Sequence, residues 1–392
     1  MHTVTNHKNN IHASMTTTNN SISPGNNTLL NRTECNIMRG LAIVLIVIDN
    51  ITHLFKGVFI DNEHIYRWSS VEGFLNNLRH PDALLPFNLL SFYCPYGVML
   101  FIFLSGYCLT LKYEQGSGRN TSCKVFIVNH GKKLFVMLLK GLAIFITALF
   151  LLYPNDVLSK SFVLNFLLIG NLKPSWNFIP GPYWFFGMLM EMYVIYRLLI
   201  YNRKDWVAIV LTVFSLIVMA LLPPESLALN YLRINCFLAI LPFCMGVLAA
   251  RHLNANSFSI NNASACVLWF ALGFVFLTAS KFNFYSWLIM PIFIIITAVT
   301  LVKLINRSNI LGRVLGWCGA MSAILFVVHP TVREIMIERI NATGNYYGML
   351  AVYLFVTFGL SIILKPVFSN KKEKTDDDKP ALSEGAQVPH GF

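Results

Sequence analysis

The chain contains 392 residues, of which 55% are hydrophobic and only 12% are charged, and its mean hydropathy is +0.58. A soluble domain of this length needs far more charge to cover its surface, so the composition excludes an ordinary soluble protein and predicts a lipid environment. The net charge of +12 would suggest nucleic-acid binding in a soluble protein. No nucleic-acid-binding motif accompanies it, and cytoplasmic loops rich in Lys and Arg account for it, so we expect the bilayer and not a nucleic acid as partner.

Both ends of the chain are polar, and the apolar residues lie between them. Residues 1–34 are rich in Asn, Thr and Ser, and residues 369–392 carry the charged run KKEKTDDDKP. We therefore predict a disordered cytoplasmic tail at each end and one transmembrane domain over residues 35–368. The eight cysteines form no C-x-x-C pair and no Cys/His cluster with zinc spacing, so neither a metal site nor a disulfide framework is expected.

Ten apolar runs between the tails have the length of a membrane-spanning helix, which is about 20 residues. They predict an all-α polytopic membrane helix bundle of about ten helices. The predicted helices cover residues 37–55, 89–111, 134–153, 183–201, 206–222, 232–250, 264–280, 284–304, 316–336 and 347–366. Residues 161–170 form an apolar stretch too short to span, which we predict to be re-entrant or interfacial.

The positions of Lys and Arg predict the orientation. They concentrate in alternate loops, represented by Lys112, Arg203, Arg251 and Arg313. Positive residues mark the cytoplasmic side, so we expect a multi-pass protein of the inner (plasma) membrane with both termini in the cytoplasm. The two long loops on the opposite side, residues 56–88 and 154–182, mix aromatic and charged residues. This composition suits a bound sugar and is equally ordinary for a solvated loop.

The first predicted helix carries polar residues at membrane depth. At about 100° per residue, Arg39, Asn50 and His53 fall on one face, with Asp49 at its edge. Asp49 and His53 are four residues apart, close enough for a hydrogen bond, and Asp49 lies about 15 Å deeper than Arg39. A charged group at mid-membrane costs about 2.5–3.5 kcal/mol, so such groups are usually functional or paired. A structural polar contact between helices is the alternative, and Arg39 can also reach lipid headgroups.

Later segments add weaker polar signals, each of which also suits close helix packing or an interface anchor. They are Ser105-Gly106, Trp184, Glu191, Arg233 and His329. The glycine-rich phosphate-binding motifs, the G-x-S-x-G motif of serine hydrolases and the H-E-x-x-H zinc motif do not occur in the sequence.

The order of several short motifs is more specific than any one of them. In chain order they are Met38–Ile43, Phe103–Tyr107, Tyr183–Phe185 with Glu191 and Tyr193, Arg233–Phe237 with Pro242, Phe243 and Gly246, and His329-Pro330. This ordered set, over residues 35–366, resembles the acyltransferase 3 family of membrane-bound O-acyltransferases. The resemblance implies about ten helices and transfer of an acyl group, most often acetyl, from cytoplasmic acyl-CoA to a hydroxyl of an envelope glycan or glycolipid.

The resemblance also implies a catalytic histidine ten or eleven residues after the arginine of the first helix. In this chain those positions hold Asp49 and Asn50, and the nearest histidine is His53, one turn further along. Three interpretations stay open. His53 has taken over the catalytic role, oriented by Asp49; Asp49 acts as a weaker base; or this member has lost activity. A second family histidine near the position of His53 would mean that Asp49 replaces the principal one.

For an active enzyme, we assign roles from the needs of acyl transfer. His53 is the expected base because imidazole titrates near neutral pH, with Asp49 fixing its tautomer and Asn50 donating to the oxyanion. Arg39, Lys132 and Lys133 are expected to bind the phosphates of CoA. Acetyl-CoA is then a donor substrate, and no permanently bound cofactor is expected.

Two rival functions remain at this point. A transporter or flippase would use the same polar face to line a substrate path, although the sequence shows no internal repeat of the kind common in secondary transporters. The second rival function is that of an inactive relative, which would serve as a scaffold for glycan assembly. The acceptor is expected to be an envelope glycan or a lipid-linked sugar, and a homo-oligomer or a glycan-assembly partner is possible.

Overall fold

The computed structural model describes residues 28–63, 65–152, 168, 171 and 181–368, and all regular elements in these residues are helical. The predicted all-α class is therefore confirmed. The α-helices are, in chain order, α1 Arg32–Thr52, α2 Trp68–Arg79, α3 Leu85–Tyr93, α4 Gly97–Thr110, α5 Cys123–Leu152, α6 Trp184–Ile195, α7 Asp205–Ala220, α8 Leu227–Arg233, α9 Cys236–His252, α10 Ala263–Ser280, α11 Phe284–Leu288, α12 Met290–Asn306, α13 Asn309–Ala320, α14 Ser322–Thr343 and α15 Tyr346–Phe368.

Most of these helices have the length and composition to cross a membrane. Seven segments of the described chain qualify, and α13 with α14 forms an eighth candidate that is bent by 73°. The shorter apolar helices α7 and α12 coincide with the two remaining predicted helices. Each of the ten predicted helices thus corresponds to a helical segment, and the multi-pass helix bundle is confirmed. The seven segments are Arg32–Thr52, Leu85–Gln115, Cys123–Leu151, Gly181–Ile200, Leu227–His252, Ala263–Ser280 and Tyr346–Phe368.

Helix α1 begins five residues before its predicted start because a capping box fixes its first turn. The Asn31 side chain accepts a hydrogen bond from the Glu34 backbone N–H, and Glu34 accepts one from the Asn31 N–H, both at 2.9 Å. Glu34 is buried and also accepts a 2.8 Å hydrogen bond from the Lys303 ammonium of α12. A carboxylate with two roles therefore ties the start of α1 to a distant helix.

Some features that the sequence predicts lie wholly or partly outside the residues that the structure describes. Of the predicted N-terminal tail, residues 1–27 lie outside the described residues, and Leu29 and Leu30 are buried against the bundle. The predicted C-terminal tail over residues 369–392 also lies outside them, as does the predicted re-entrant stretch 161–170 apart from Leu168.

The second predicted helix is interrupted where the sequence holds Pro95. Helix α3 ends at Tyr93 and α4 begins at Gly97. Proline lacks a backbone N–H and its ring obstructs the preceding turn, so the break at this residue has a local cause.

Helix α1 is the central element of the bundle. It packs against α3, α4, α12, α13, α14 and α15. Its closest approach is to α13, where a Cβ added to Gly40 would lie 1.9 Å from the Leu315 carbonyl oxygen, and one added to Gly319 would lie equally close to the Asn36 carbonyl. Backbones this close tolerate only glycine at the contact. Residues on the remaining faces of α1 are thereby held in fixed positions.

Candidate active site

A cavity of about 560 Å³ lies beside the C-terminal half of α1, and we call it the Asp49 cavity. Helix α1 contributes Ile46, Asp49, Asn50 and His53 to its lining. These positions follow the three- and four-residue spacing of one helix face. The structure thus brings together the three residues that the sequence analysis assigned to catalysis.

Asp49 and His53 face each other within this cavity without forming a hydrogen bond. The Asp49 Oδ2 lies 3.7 Å from the His53 Nδ1, which is beyond hydrogen-bond distance. The Asp49 Oδ1 and the His53 Nδ1 are both buried and have no hydrogen-bond partner among the described residues. Because an unpaired buried polar atom is costly, the adjacent carboxylate and imidazole are the polar pair of this lining that the described protein groups leave unsatisfied.

Arg333 of α14 is the strongest hydrogen-bond donor in the lining, and the sequence analysis did not assign it a role. Its guanidinium Nη1 donates to the Asn50 Oδ1 at 3.2 Å, and its Nε has no partner among the described residues. The Asn50 amide nitrogen donates to the Ile46 carbonyl at 3.0 Å. Since both ends of the Asn50 amide are engaged, the guanidinium is better placed than Asn50 to stabilise negative charge.

A second, smaller cavity of about 280 Å³ lies beside the N-terminal half of α1, and we call it the Arg39 cavity. Arg39 and Lys133 both line it. The Arg39 guanidinium donates to the Asn36 Oδ1 at 2.9 Å and contacts the Cys108 Sγ at 3.7 Å. Lys132 is exposed and does not line this cavity, so the structure brings together only two of the three predicted phosphate-binding residues.

His130 also lines the Arg39 cavity and was missed by the sequence analysis. Its Nε2 lies 3.0 Å from the Tyr113 hydroxyl, and its ring packs against Phe126 and Tyr193 with centroids 4.4 and 4.8 Å apart. The available sequence signal was its position three residues before Lys133, which places both on one face of α5.

The two cavities share a wall. Phe185 of α6 and Phe326 of α14 line both of them, and their ring centroids are 5.2 Å apart. Arg39 precedes Asp49 by ten residues, so the two cavities are displaced along α1 by about 15 Å. The two cavities therefore lie at different levels along α1 and share one aromatic pair.

Comparison with known proteins assigns the chain to a family. The sequence model of the acyltransferase 3 family, described as an acyltransferase domain, matches residues 32–365, which run from the start of α1 almost to the end of α15. The chain belongs to this acyltransferase family. No curated protein and no solved structure matches it. The cavities therefore lie within the matched domain of a multi-pass membrane acyltransferase.

Two of the family-motif residues of this acyltransferase pack helices and line neither cavity. The Ser105 hydroxyl donates to the Phe101 carbonyl of its own helix at 2.9 Å. A Cβ added to Gly106 would lie 2.2 Å from the Phe243 carbonyl oxygen, and one added to Gly246 would lie 2.2 Å from the Phe103 carbonyl oxygen. The motifs in α4 and α9 are therefore reciprocal surfaces of one close helix contact.

Glu191 finds partners at the start of α9. Its carboxylate accepts hydrogen bonds from the Asn171 amide at 2.5 Å and from the Cys236 backbone N–H at 2.8 Å. A carboxylate at a helix N-terminus satisfies a free N–H group and interacts favourably with the helix dipole. These two hydrogen bonds explain the partly buried carboxylate by structure alone.

Arg233 and Trp184 support the Asp49 cavity in different ways. Arg233 is buried, stacks 3.9 Å from the Trp287 ring centroid and donates to the Glu63 carbonyl at 2.6 Å. Glu63 lines the Asp49 cavity, so Arg233 holds part of the lining without entering it. Trp184 lines this cavity directly.

His329 of the acyltransferase is fully buried and lines neither cavity. Its Nδ1 lies 2.9 Å from the Leu325 carbonyl, and its Nε2 has no partner among the described residues. The ring packs against Phe326 at 5.9 Å, so this histidine supports the wall between the two cavities.

Proposed function

We propose that this acyltransferase moves an acyl group, typically acetyl, from acyl-CoA at the Arg39 cavity to a hydroxyl of an envelope glycan or glycolipid in the Asp49 cavity. The observation that carries the proposal is the pair of cavities at different levels along α1, which share the side chains of Phe185 and Phe326. One contains cationic groups suited to a phosphorylated donor, and the other contains a carboxylate, an imidazole and a guanidinium.

The charge and the volume of the Arg39 cavity indicate which part of the donor it holds. Arg39 and Lys133 place two cations at the cavity on the side predicted to face the cytoplasm, where they suit the phosphates of CoA. A volume of about 280 Å³ is below the usual range for a drug-sized ligand, about 300–1,000 Å³. We therefore place only the pantetheine arm and thioester in the cavity, with the nucleotide at the surface near the exposed Lys132.

The acceptor end suits a sugar. The Asp49 cavity combines the aromatic side chain of Trp184 with polar groups from Glu63 and Asn230. The buried Asn230 Oδ1 has no hydrogen-bond partner among the described residues, so a ligand hydroxyl would satisfy it. Apolar surface with a few convergent polar groups is the usual lining of a small-molecule site.

The chemical step uses the groups that face this cavity. With its Nδ1 directed toward Asp49, the His53 imidazole takes the acceptor hydroxyl's proton at Nε2. The hydroxyl oxygen forms a bond to the thioester carbonyl carbon, and the carbonyl oxygen becomes an oxyanion stabilised by the Arg333 guanidinium. The C–S bond then breaks, and the imidazolium returns its proton to the departing CoA thiolate.

The first experiment measures base-labile acetate on envelope glycans by mass spectrometry. Native cells would be compared with a deletion strain and with that strain complemented by wild type or by His53→Ala. We expect acetate to disappear on deletion and to be restored by wild type but not by the variant.

A matched control is His80→Ala, because His80 is exposed and lines neither cavity. It should restore acetylation fully. Unchanged acetylation in the deletion strain would reject the proposal and favour transport or a scaffold role. Full restoration by His53→Ala would reject His53 as the base.

A further inference from the structure

One aromatic pair belongs to the lining of both cavities. Among the residues that the structure describes, Phe185 and Phe326 are the ones that line both cavities. Their rings are tilted by 54° at a centroid distance of 5.2 Å, and both side chains are buried.

Neighbouring aromatic residues fix the position of this pair. The Phe186 ring packs edge-on against Phe326 at 5.6 Å, and the Phe101 ring lies 6.4 Å from Phe185. Phe101 and Phe186 line the Arg39 cavity and not the Asp49 cavity. On the acceptor side, the Trp184 ring of the Asp49 cavity lies 6.4 Å from Phe185, so the pair has aromatic support from both cavities.

The proposed function, on which this inference rests, places the thioester on one side of the pair and the acceptor hydroxyl on the other. The carbonyl carbon and the hydroxyl oxygen must come within bonding distance, so the acyl end of the donor has to pass between the two rings. The charged nucleotide of CoA does not need to follow it. A phenylalanine side chain changes rotamer without moving its helix, so the opening is set by side-chain size.

We propose that Phe185 and Phe326 form the passage through which the acyl group enters the Asp49 cavity, and that their side chains set the longest acyl chain transferred. The closed pair also separates the thioester from water in the Asp49 cavity. When the passage is widened, water can attack the carbonyl carbon, the C–S bond breaks, and the free acid and CoA thiol form without acceptor. The length of acyl chain transferred and the release of free acid are therefore two separate measurements of the same passage.

The test uses inside-out membrane vesicles of the deletion strain carrying the full chain, so that the native acceptor is present. Acetyl-, butyryl- and hexanoyl-CoA labelled in the acyl group would be added, and base-labile label on the glycan would be measured beside released free acid. For Phe185→Ala and Phe326→Ala we expect the butyryl-to-acetyl transfer ratio to rise about tenfold or more, as for one methylene in a tight pocket. Free-acid release should rise in the same variants.

Phe355→Ala in α15 is the matched control, since Phe355 is exposed and lines neither cavity, and it should leave the ratio unchanged. Phe326→Leu and Phe185→Leu, which keep an apolar side chain, cover the case in which an alanine variant does not fold and should show a smaller increase. An unchanged butyryl-to-acetyl ratio in all Phe185 and Phe326 variants, with normal acetyl transfer by wild type, would overturn the proposed passage and leave the proposed function standing. An equal increase in Phe355→Ala would overturn it as well. Absence of transfer by wild type from every donor would overturn the proposed function and the inference together.

Discussion

The relation between Asp49 and His53 decides which of the open interpretations of the catalytic base is correct. Both residues line the same cavity, and their facing atoms are 3.7 Å apart. If His53 is the base and Asp49 orients it, loss of the carboxylate leaves a weakened catalyst, whereas loss of the imidazole removes the catalyst. If Asp49 is the base, the order is reversed.

We expect His53→Ala to abolish acyl transfer and Asp49→Asn to lower it by about 10²-fold or more, because the imidazolium then lacks the negative charge that faces its Nδ1. The double variant should be no worse than His53→Ala, since residues that act as a unit are not additive. Initial rates of labelled acetyl transfer in membrane vesicles, normalised to protein abundance, would measure this. Abolition by Asp49→Asn with partial activity in His53→Ala would assign the base to Asp49.

Sequence reasoning could identify site residues that lie close together in the chain, but not those that lie far apart in it. Asp49, Asn50 and His53 could be grouped in advance because they share one helix face. Arg333 contacts Asn50 across 283 positions of sequence, and no local pattern reports that distance. His130 shares a helix face with Lys133, but its place in the Arg39 cavity depends on how α5 packs beside α6.

Whole helices were more predictable than their breaks. A spanning segment in lipid must satisfy its backbone polar groups internally, so each apolar run of sufficient length has to form a helix. The bend of 73° between α13 and α14 had no such signal, because it depends on how α13 packs against α1. Helix α2, which lies within a predicted loop, is short and polar enough to escape a search for spanning segments.

The contact between α4 and α9 gives a prediction at the scale of elements. A Cβ on Gly106 or Gly246 would meet a carbonyl oxygen at 2.2 Å, so Gly106→Ala and Gly246→Ala must separate the two helices. We expect each to lower the free energy of unfolding by about 1–3 kcal/mol, the usual cost of overpacking. Thermal unfolding of the purified protein in detergent, followed by fluorescence, would show a lower Tm.

Gly359→Ala in α15 is the matched control for this prediction. A Cβ there meets no atom within 4 Å, so the substitution should leave the Tm unchanged or raise it slightly through better helix propensity. Equal effects at Gly106 and Gly359 would show that the close contact does not determine stability.

The orientation of the whole molecule depends on how many helices cross the membrane. Seven long segments alone would place the two ends on opposite sides. Adding the bent pair α13 and α14 gives eight crossings, and adding the shorter helices α7 and α12 gives ten, so either count returns the chain to its starting side. The predicted cytoplasmic location of both termini therefore requires an even number of crossings, and α7 is a direct place to test it.

Topology reporters inserted on the two sides of α7 would make this test. We expect green fluorescent protein at residues 202–204, which include Arg203 and Lys204, to be fluorescent, and alkaline phosphatase at residues 223–225 to be active. The exchanged insertions, with alkaline phosphatase at residues 202–204 and green fluorescent protein at residues 223–225, are the controls and should give no signal. Both insertions reporting the same side would mean that α7 does not span. The Asp49 cavity, lined by residues of α8 that follow α7, would then have to be reassigned relative to the cytoplasm.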